Sequence, residues 1–134
     1  VMNPEIDEHC RVVAGILHDP YTLKEIPVGQ DIQIDHVVAL SDAWQKGAQQ
    51  LTYEQRVQLA NDPLNLLAVG GNANQQKADG DAATWLPPNK GFRCQYVARQ
   101  IAVKQRYALW VTQVEKDAML RILSSCPEQP LPAR

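Results

Sequence analysis

No stretch of this chain approaches the roughly 18 consecutive apolar residues that a membrane-crossing helix requires, so a bilayer span is excluded as its organising element. Val1 to Glu8 lacks the basic and apolar regions of a signal peptide, and an export signal, if the chain has one, is expected upstream of Val1. Three cysteines are too few for a dense disulfide scaffold, and none stands in the C-x-x-C spacing of a zinc site. Internal repeats are absent. So is low-complexity sequence before the tail 127–134, where three prolines exclude a packed helix and predict a mobile end. Acidic residues are missing from Ala82 to Val114, a segment that holds Lys90, Arg93, Arg99, Lys104 and Arg106. One basic side is therefore expected, although the net charge of -2 speaks against general adhesion to nucleic acid.

What is present is an ordinary globular composition, 45% hydrophobic and 21% charged over 134 residues, which fits a single domain, taken as residues 1–126. Cys10 to His18 reads as a helical turn or two, and the chain from there to Gly29 as irregular. Ile32 to Leu40 favours a strand with charged residues at its middle. Ser41 is placed to cap a short helix through Trp44 to Gly47, and Thr52 with Gln55 forms a capping-box pattern for a second helix, stopped by Asn61-Asp62-Pro63. Leu64 to Val69 is the next strand and Gly70-Gly71 a tight turn after it. Asn72 with Gln75 repeats the capping pattern, giving a short helix over 73–79 that stops at Gly80.

Two longer helices follow. The first runs from Phe92 to Val111, with Tyr96, Val103, Tyr107 and Trp110 on one face, and the second from a Thr112 cap with Glu115 to Ser124. They form an αα-hairpin that brings Cys94 near Cys126, either as a disulfide or as two buried thiols. The disulfide would imply an oxidising compartment. Cys10 has no evident partner.

The residues able to do chemistry are few. Asp35 and His36 are adjacent in an apolar, strand-like run, and ionisable groups in such a setting are usually paired or used. Asn65, Asn72 and Asn74 cluster after the second strand with Lys77 close by; alone they are turn and cap residues. Together they suit phosphodiester hydrolysis: histidine is a base near neutral pH, and Asp35 with the amide oxygen of Asn74 offers the oxygen ligands that a hard cation such as Mg²⁺ prefers. Alternation along a strand separates Asp35 from His36, metal on one side of a phosphate and base on the other. Asp79 and Asp81 read as a solvated turn, His9 and His18 as surface residues, and Trp44, Trp85 and Trp110 as packing.

The segments "IDHVVAL", "NDPLNLLAV" and "NANQQK" resemble the ββα-metal site of the HNH, or His-Me finger, endonucleases. With "DAWQKGAQQL", "DAATWLPP" and "FRCQYVARQ" the likeness extends over about Gly15 to Cys126. It points to secreted actinobacterial HNH-type proteins related to the C-terminal nuclease domain of modification-dependent restriction enzymes. That resemblance implies an α+β fold, a ββα-metal core with a helical insertion and a C-terminal αα-hairpin. It implies a secreted, metal-dependent endonuclease with DNA as the expected substrate ahead of RNA. By position, Asp35 and Asn74 would hold the metal, His36 would be the general base, Asn65 would fix the loop and Lys77 would touch phosphate. Apart from the resemblance, the basic residues between Lys90 and Arg106, Arg93 and Arg99 among them, either follow substrate phosphates or form an exposed helix face. Mg²⁺ or Mn²⁺ is the expected ion, because the last ligand is asparagine where many members have histidine. Longer relatives carry an upstream segment with a cysteine able to pair with Cys10. The competing expectation is the same scaffold retained as a nucleic-acid or protein binding module without turnover.

Overall fold

A computed structural model describes residues 2–6, 12–27, 29 and 31–133, with residues 2–6 and 12–14 described by backbone alone. Strands β1 (Met2–Ile6), β2 (Val12–His18) and β3 (Glu25–Pro27) form an antiparallel sheet in that order. This corrects the helical reading of the segment before His18. Val12 to Leu17 is a short continuous apolar run whose periodicity fits either element, and pairing with β1 and β3 on both sides decides for strand. Cys10 and the possible start of that helix lie outside the described residues.

The second sheet has two antiparallel strands, β4 (Ile32–His36) and β5 (Leu66–Gly70), with Asp35 opposite Leu67 and His36 opposite Leu66. Between them stand helices α1 (Leu40–Gln45) and α2 (Tyr53–Asn61). β4 stops four residues before the predicted Leu40. The amide of Val37 turns to the carbonyl of Asn65 at 2.9 Å, and that of Val38 to the Asn65 side chain at 2.7 Å. α1 begins at Leu40 behind Ala39, without a cap from Ser41. α2 has the complete Thr52–Gln55 capping box. Asp62 caps a 3₁₀ turn over Pro63–Asn65 before β5 starts.

Gly70 and Gly71 do not make a turn. Gly70 ends β5 and Gly71 opens helix α3 (Gly71–Lys77), with no cap from Asn72. Glycine is needed there for closeness: a Cβ on Gly70 would lie 2.8 Å from both the Asp19 carboxylate and Ile26, and one on Gly71 would collide with Asp31.

Helices α4 (Arg93–Arg106) and α5 (Gln113–Leu123) form the expected hairpin, and a disulfide joins Cys94 to Cys126. Closing a loop of that length contributes about 4 kcal/mol in the chain-entropy account. α4 is shorter than the predicted Phe92–Val111, because Ala108 at φ 54° reverses the chain, and Trp110 is left 45% exposed off the end of the helix. Tyr96 and Val97 face one apolar cluster with Tyr21, Val37, Val69 and Met119. Further along α4, Ala102, Val103 and Tyr107 face a second with Val38, Ala43, Leu59 and Leu64. The end of β4 therefore lies between two cores that share α4. No helix among the described residues is long and apolar enough to cross a membrane.

Candidate active site

Alternation along β4 sends Gln33 and Asp35 to one face and Ile34 and His36 to the other. Across the first face lies α3, where Asn74 and Lys77, three positions apart, share a side. Asn74 Nδ2 donates to Gln33 Oε1 at 2.7 Å, and Lys77 Nζ meets the Asp35 oxygens at 3.1 and 3.2 Å. The seam thus has two rungs. The far face is open, with Ile34 60% exposed. There His36 Nε2 lies 2.8 Å from the carbonyl of Ala60 near the end of α2. A carbonyl only accepts, so this bond places the ring hydrogen on Nε2 and leaves Nδ1 as the basic nitrogen.

Two groups, Lys77 and Tyr21, hold the Asp35–His36 dipeptide directly, and Asn65 holds the chain just after it. Lys77, buried, donates to the carbonyl of His36 at 2.7 Å as well as to Asp35. Burial draws its ammonium below the usual lysine range, and the Asp35 charge opposes this only in part. Asn65, wholly buried, accepts from the Val38 amide at 2.7 Å and returns a bond to the Val38 carbonyl at 3.3 Å. Tyr21 donates its hydroxyl to Asp35 Oδ2 at 2.5 Å. Burial first, then Tyr96 and Asp35, pushes that phenol far above its usual range, so it stays a neutral donor. Gln100 on α4 adds a bond to the carbonyl of Val37 at 3.1 Å. Neither Tyr21 nor Gln100 is marked in the sequence: the first sits in a segment read as irregular, the second on an apolar helix face.

The basic segment behaves differently from its sequence reading. Arg99 donates to the carbonyls of Leu64, Pro63 and Leu66 at 2.7, 2.9 and 3.1 Å. Arg93 donates to the carbonyl of Pro87 at 2.8 Å. Lys104 is buried against Glu115 at 2.9 Å, and Arg106 pairs with Asp62 at 2.9 Å. These four cations are thus engaged within the fold, Lys104 and Arg106 by acids from distant elements and Arg93 and Arg99 by backbone carbonyls. Asp81 is no solvated turn residue either: Lys46 meets it at 2.8 Å, and that contact with two backbone amides outweighs burial and holds its carboxyl low. His9 lies outside the described residues. Trp44, half exposed, carries Arg56 over its ring at 5.5 Å, whereas Trp85 packs edge-on against Tyr21 in the core.

Among the described residues no group of three or more His, Cys, Asp or Glu could hold a metal ion. The available donors are Asp35 and Asn74, both hard oxygen ligands once the Asn74 amide nitrogen is turned to Gln33. This donor type fits Mg²⁺ or Mn²⁺, which accept a small protein share with water and phosphate completing the sphere. It does not suit zinc.

A two-stranded sheet, a short helix laid across it and a buried polar seam between them define the class: a small disulfide-bonded α+β domain with its candidate site at a strand–helix junction. The chain belongs to the family of GmrSD restriction endonucleases, C-terminal domain, an HNH-type nuclease domain whose family model matches residues 4–122. It is also 40% identical over 126 residues to an uncharacterized secreted protein of Arthroderma benhamiae. That alignment covers 92% of this chain and 62% of the relative, so the chain spans about three fifths of the relative's length.

Proposed function

We propose that the protein is an exported, divalent-metal-dependent endonuclease that hydrolyses phosphodiester bonds in DNA at the β4–α3 seam. The observation that supports it most is the hold on the Asp35–His36 dipeptide by Lys77, 42 positions downstream of Asp35, and on the chain just after it, at Val38, by Asn65, 27 positions downstream. Nothing in packing alone requires so many polar groups around one strand end. His36, its Nε2 hydrogen directed to Ala60, presents Nδ1 to take a proton from water. Asn65 fixes the loop behind it, and Lys77 sets the spacing of carboxylate and imidazole. Asp35 and Asn74 are the residues to hold the cation; the chemistry supplied by bound Mg²⁺ or Mn²⁺ is neutralisation of the phosphate and of the leaving oxygen. Export is supported by the Cys94–Cys126 disulfide and by the secreted relative.

One observation favours the scaffold without turnover. Lys77 lies on both oxygens of Asp35, so the single carboxylate of the seam is already neutralised.

Plasmid DNA and structured RNA incubated with the protein and Mg²⁺, Mn²⁺ or EDTA separate these readings. The nuclease cuts DNA only with metal, and His36→Ala lowers the rate about 10²- to 10⁴-fold, as expected for loss of a general base. Cutting that survives His36→Ala sinks the assignment of the base. Folded protein that cuts neither substrate with any metal belongs to the binding module.

A further inference from the structure

The carbonyl that orients His36 belongs to Ala60, and the next residue, Asn61, lines an open cleft of about 580 Å³. Its walls are Gln55, Gln58 and Asn61 of α2 and, across from them, Asp62, Arg106 and Tyr107. We propose that this cleft is the DNA-docking surface, with Arg106 meeting the phosphate backbone and the carboxamides of Gln58 and Asn61 meeting sugar and base edges. The inference rests on the nuclease reading and adds to it where the substrate lies.

Four observations lead there. α2 buries only Leu59, so core packing leaves most of its surface unexplained. Gln55, Gln58 and Asn61 recur every third residue on one side of the helix and are all exposed. Carboxamides both donate and accept, as base edges demand. The one acid in the wall is cancelled: burial would raise the Asp62 carboxyl, but Tyr107, the Leu64 amide and Arg106 outweigh it and hold it low, and Arg106 neutralises its charge at 2.9 Å. Arg106 keeps a third of its side chain in solvent with only Nη1 on Asp62, which leaves donors for a phosphate. Finally, the cleft adjoins the imidazole through consecutive residues of one helix.

A second polar groove, lined by Lys24, Asn72, Gln75 and Gln76 beside α3, is the competing path. The test uses full-length protein carrying His36→Ala, with a fluorescent DNA duplex as probe, and charge reversal at Gln58. Gln58→Glu raises Kd about threefold and Gln58→Lys lowers it by a similar factor, effects that shrink as salt is added. Gln76→Glu leaves Kd unchanged. With His36 intact, the same Gln58 changes move KM and spare kcat. The proposal is overturned if the two Gln58 variants bind DNA alike, or if Gln76→Glu and not Gln58→Glu weakens binding. DNA cutting with no response at Gln58 removes the docking surface alone, whereas protein that neither cuts nor binds DNA removes the nuclease reading and this one with it.

Discussion

Lys46 and Lys77 are both enclosed, and each ammonium meets carboxylate at short range, but the company differs. Lys46 reaches Asp42 at 2.6 Å, Glu115 at 2.7 Å and Asp81 at 2.8 Å, and Lys104 joins the same group through Glu115 and Asp42. Burial pulls Lys46 down, yet its three acidic partners outweigh it and lift the ammonium above the ordinary lysine range. Lys77 has one carboxylate, shared with Tyr21, and burial prevails. The Lys46 group is a knot that ties α1 and the loop after α3 to α4 and α5. It sets three carboxylates against two ammoniums, all of them engaged with one another, and little is left to offer a ligand. The seam at Asp35 has one anion for one cation, at a strand end beside the open face that carries His36.

Removing one partner from each group should separate structure from function, and it carries the largest expected effect. Glu115→Gln removes the carboxylate that Lys46 and Lys104 share, but Lys46 keeps Asp42 and Asp81 and Lys104 keeps Asp42, so it should cost about 1–3 kcal/mol in urea-induced unfolding, while kcat of the folded protein stays as it was. Lys77→Met leaves the buried Asp35 carboxylate without its cation and should cost about 3 kcal/mol, the lower end for a broken buried pair because Tyr21 still serves Asp35, and it should also depress cutting. Adding Asp35→Asn to Lys77→Met should restore part of the stability, because the stranded carboxylate goes too. A Glu115→Gln protein that keeps its stability and loses cutting would reverse the two assignments.

That division was only partly visible in the sequence. The Thr52–Gln55 and Thr112–Glu115 boxes were legible because a cap is written within four residues. The adjacency of Asp35 and His36 was legible for the same reason, whereas the carbonyl of Ala60 that orients His36 has no side-chain signature at all. Lys104 read as part of a basic face because its partner Asp42 stands 62 positions away, and Glu115 read as a cap alone because Lys46 is 69 positions away. β2 was missed on similar grounds: a short apolar run becomes a strand only when neighbours supply its hydrogen bonds.

Acid should probe the knot, through Asp81, and the separate Asp62–Arg106 pair at intermediate cost. Asp62 and Asp81 both have carboxyls held below the ordinary value of 3.8 in the folded protein. A depressed carboxylate stabilises fully above its unfolded value, and the contribution is lost as pH falls through the folded one. The thermal midpoint should therefore hold steady down to about pH 4 and drop below it. Asp81→Asn should start lower and show a shallower drop, as should Asp62→Asn. An undiminished drop in both variants would place the acid sensitivity elsewhere.

The smallest effect tests the joint between the two groups. Ala78, four residues after Asn74 and three before Asp81, has φ 48° and ψ -124°, outside the regions that residues with a Cβ favour. Its amide still closes α3 by donating to the carbonyl of Asn74 at 3.1 Å, so the strain comes with the helix end that places Asn74 and Lys77. Glycine relieves that strain, of order 1–3 kcal/mol, against an added chain entropy cost of roughly 0.5–1 kcal/mol. Ala78→Gly should thus stabilise by about 1 kcal/mol, read as a modest rise in thermal midpoint. The further readout is cutting. If it falls as stability rises, the alanine serves to hold α3 rigidly against β4; if it is unchanged, the Lys77 and Asn65 bonds position the seam without it.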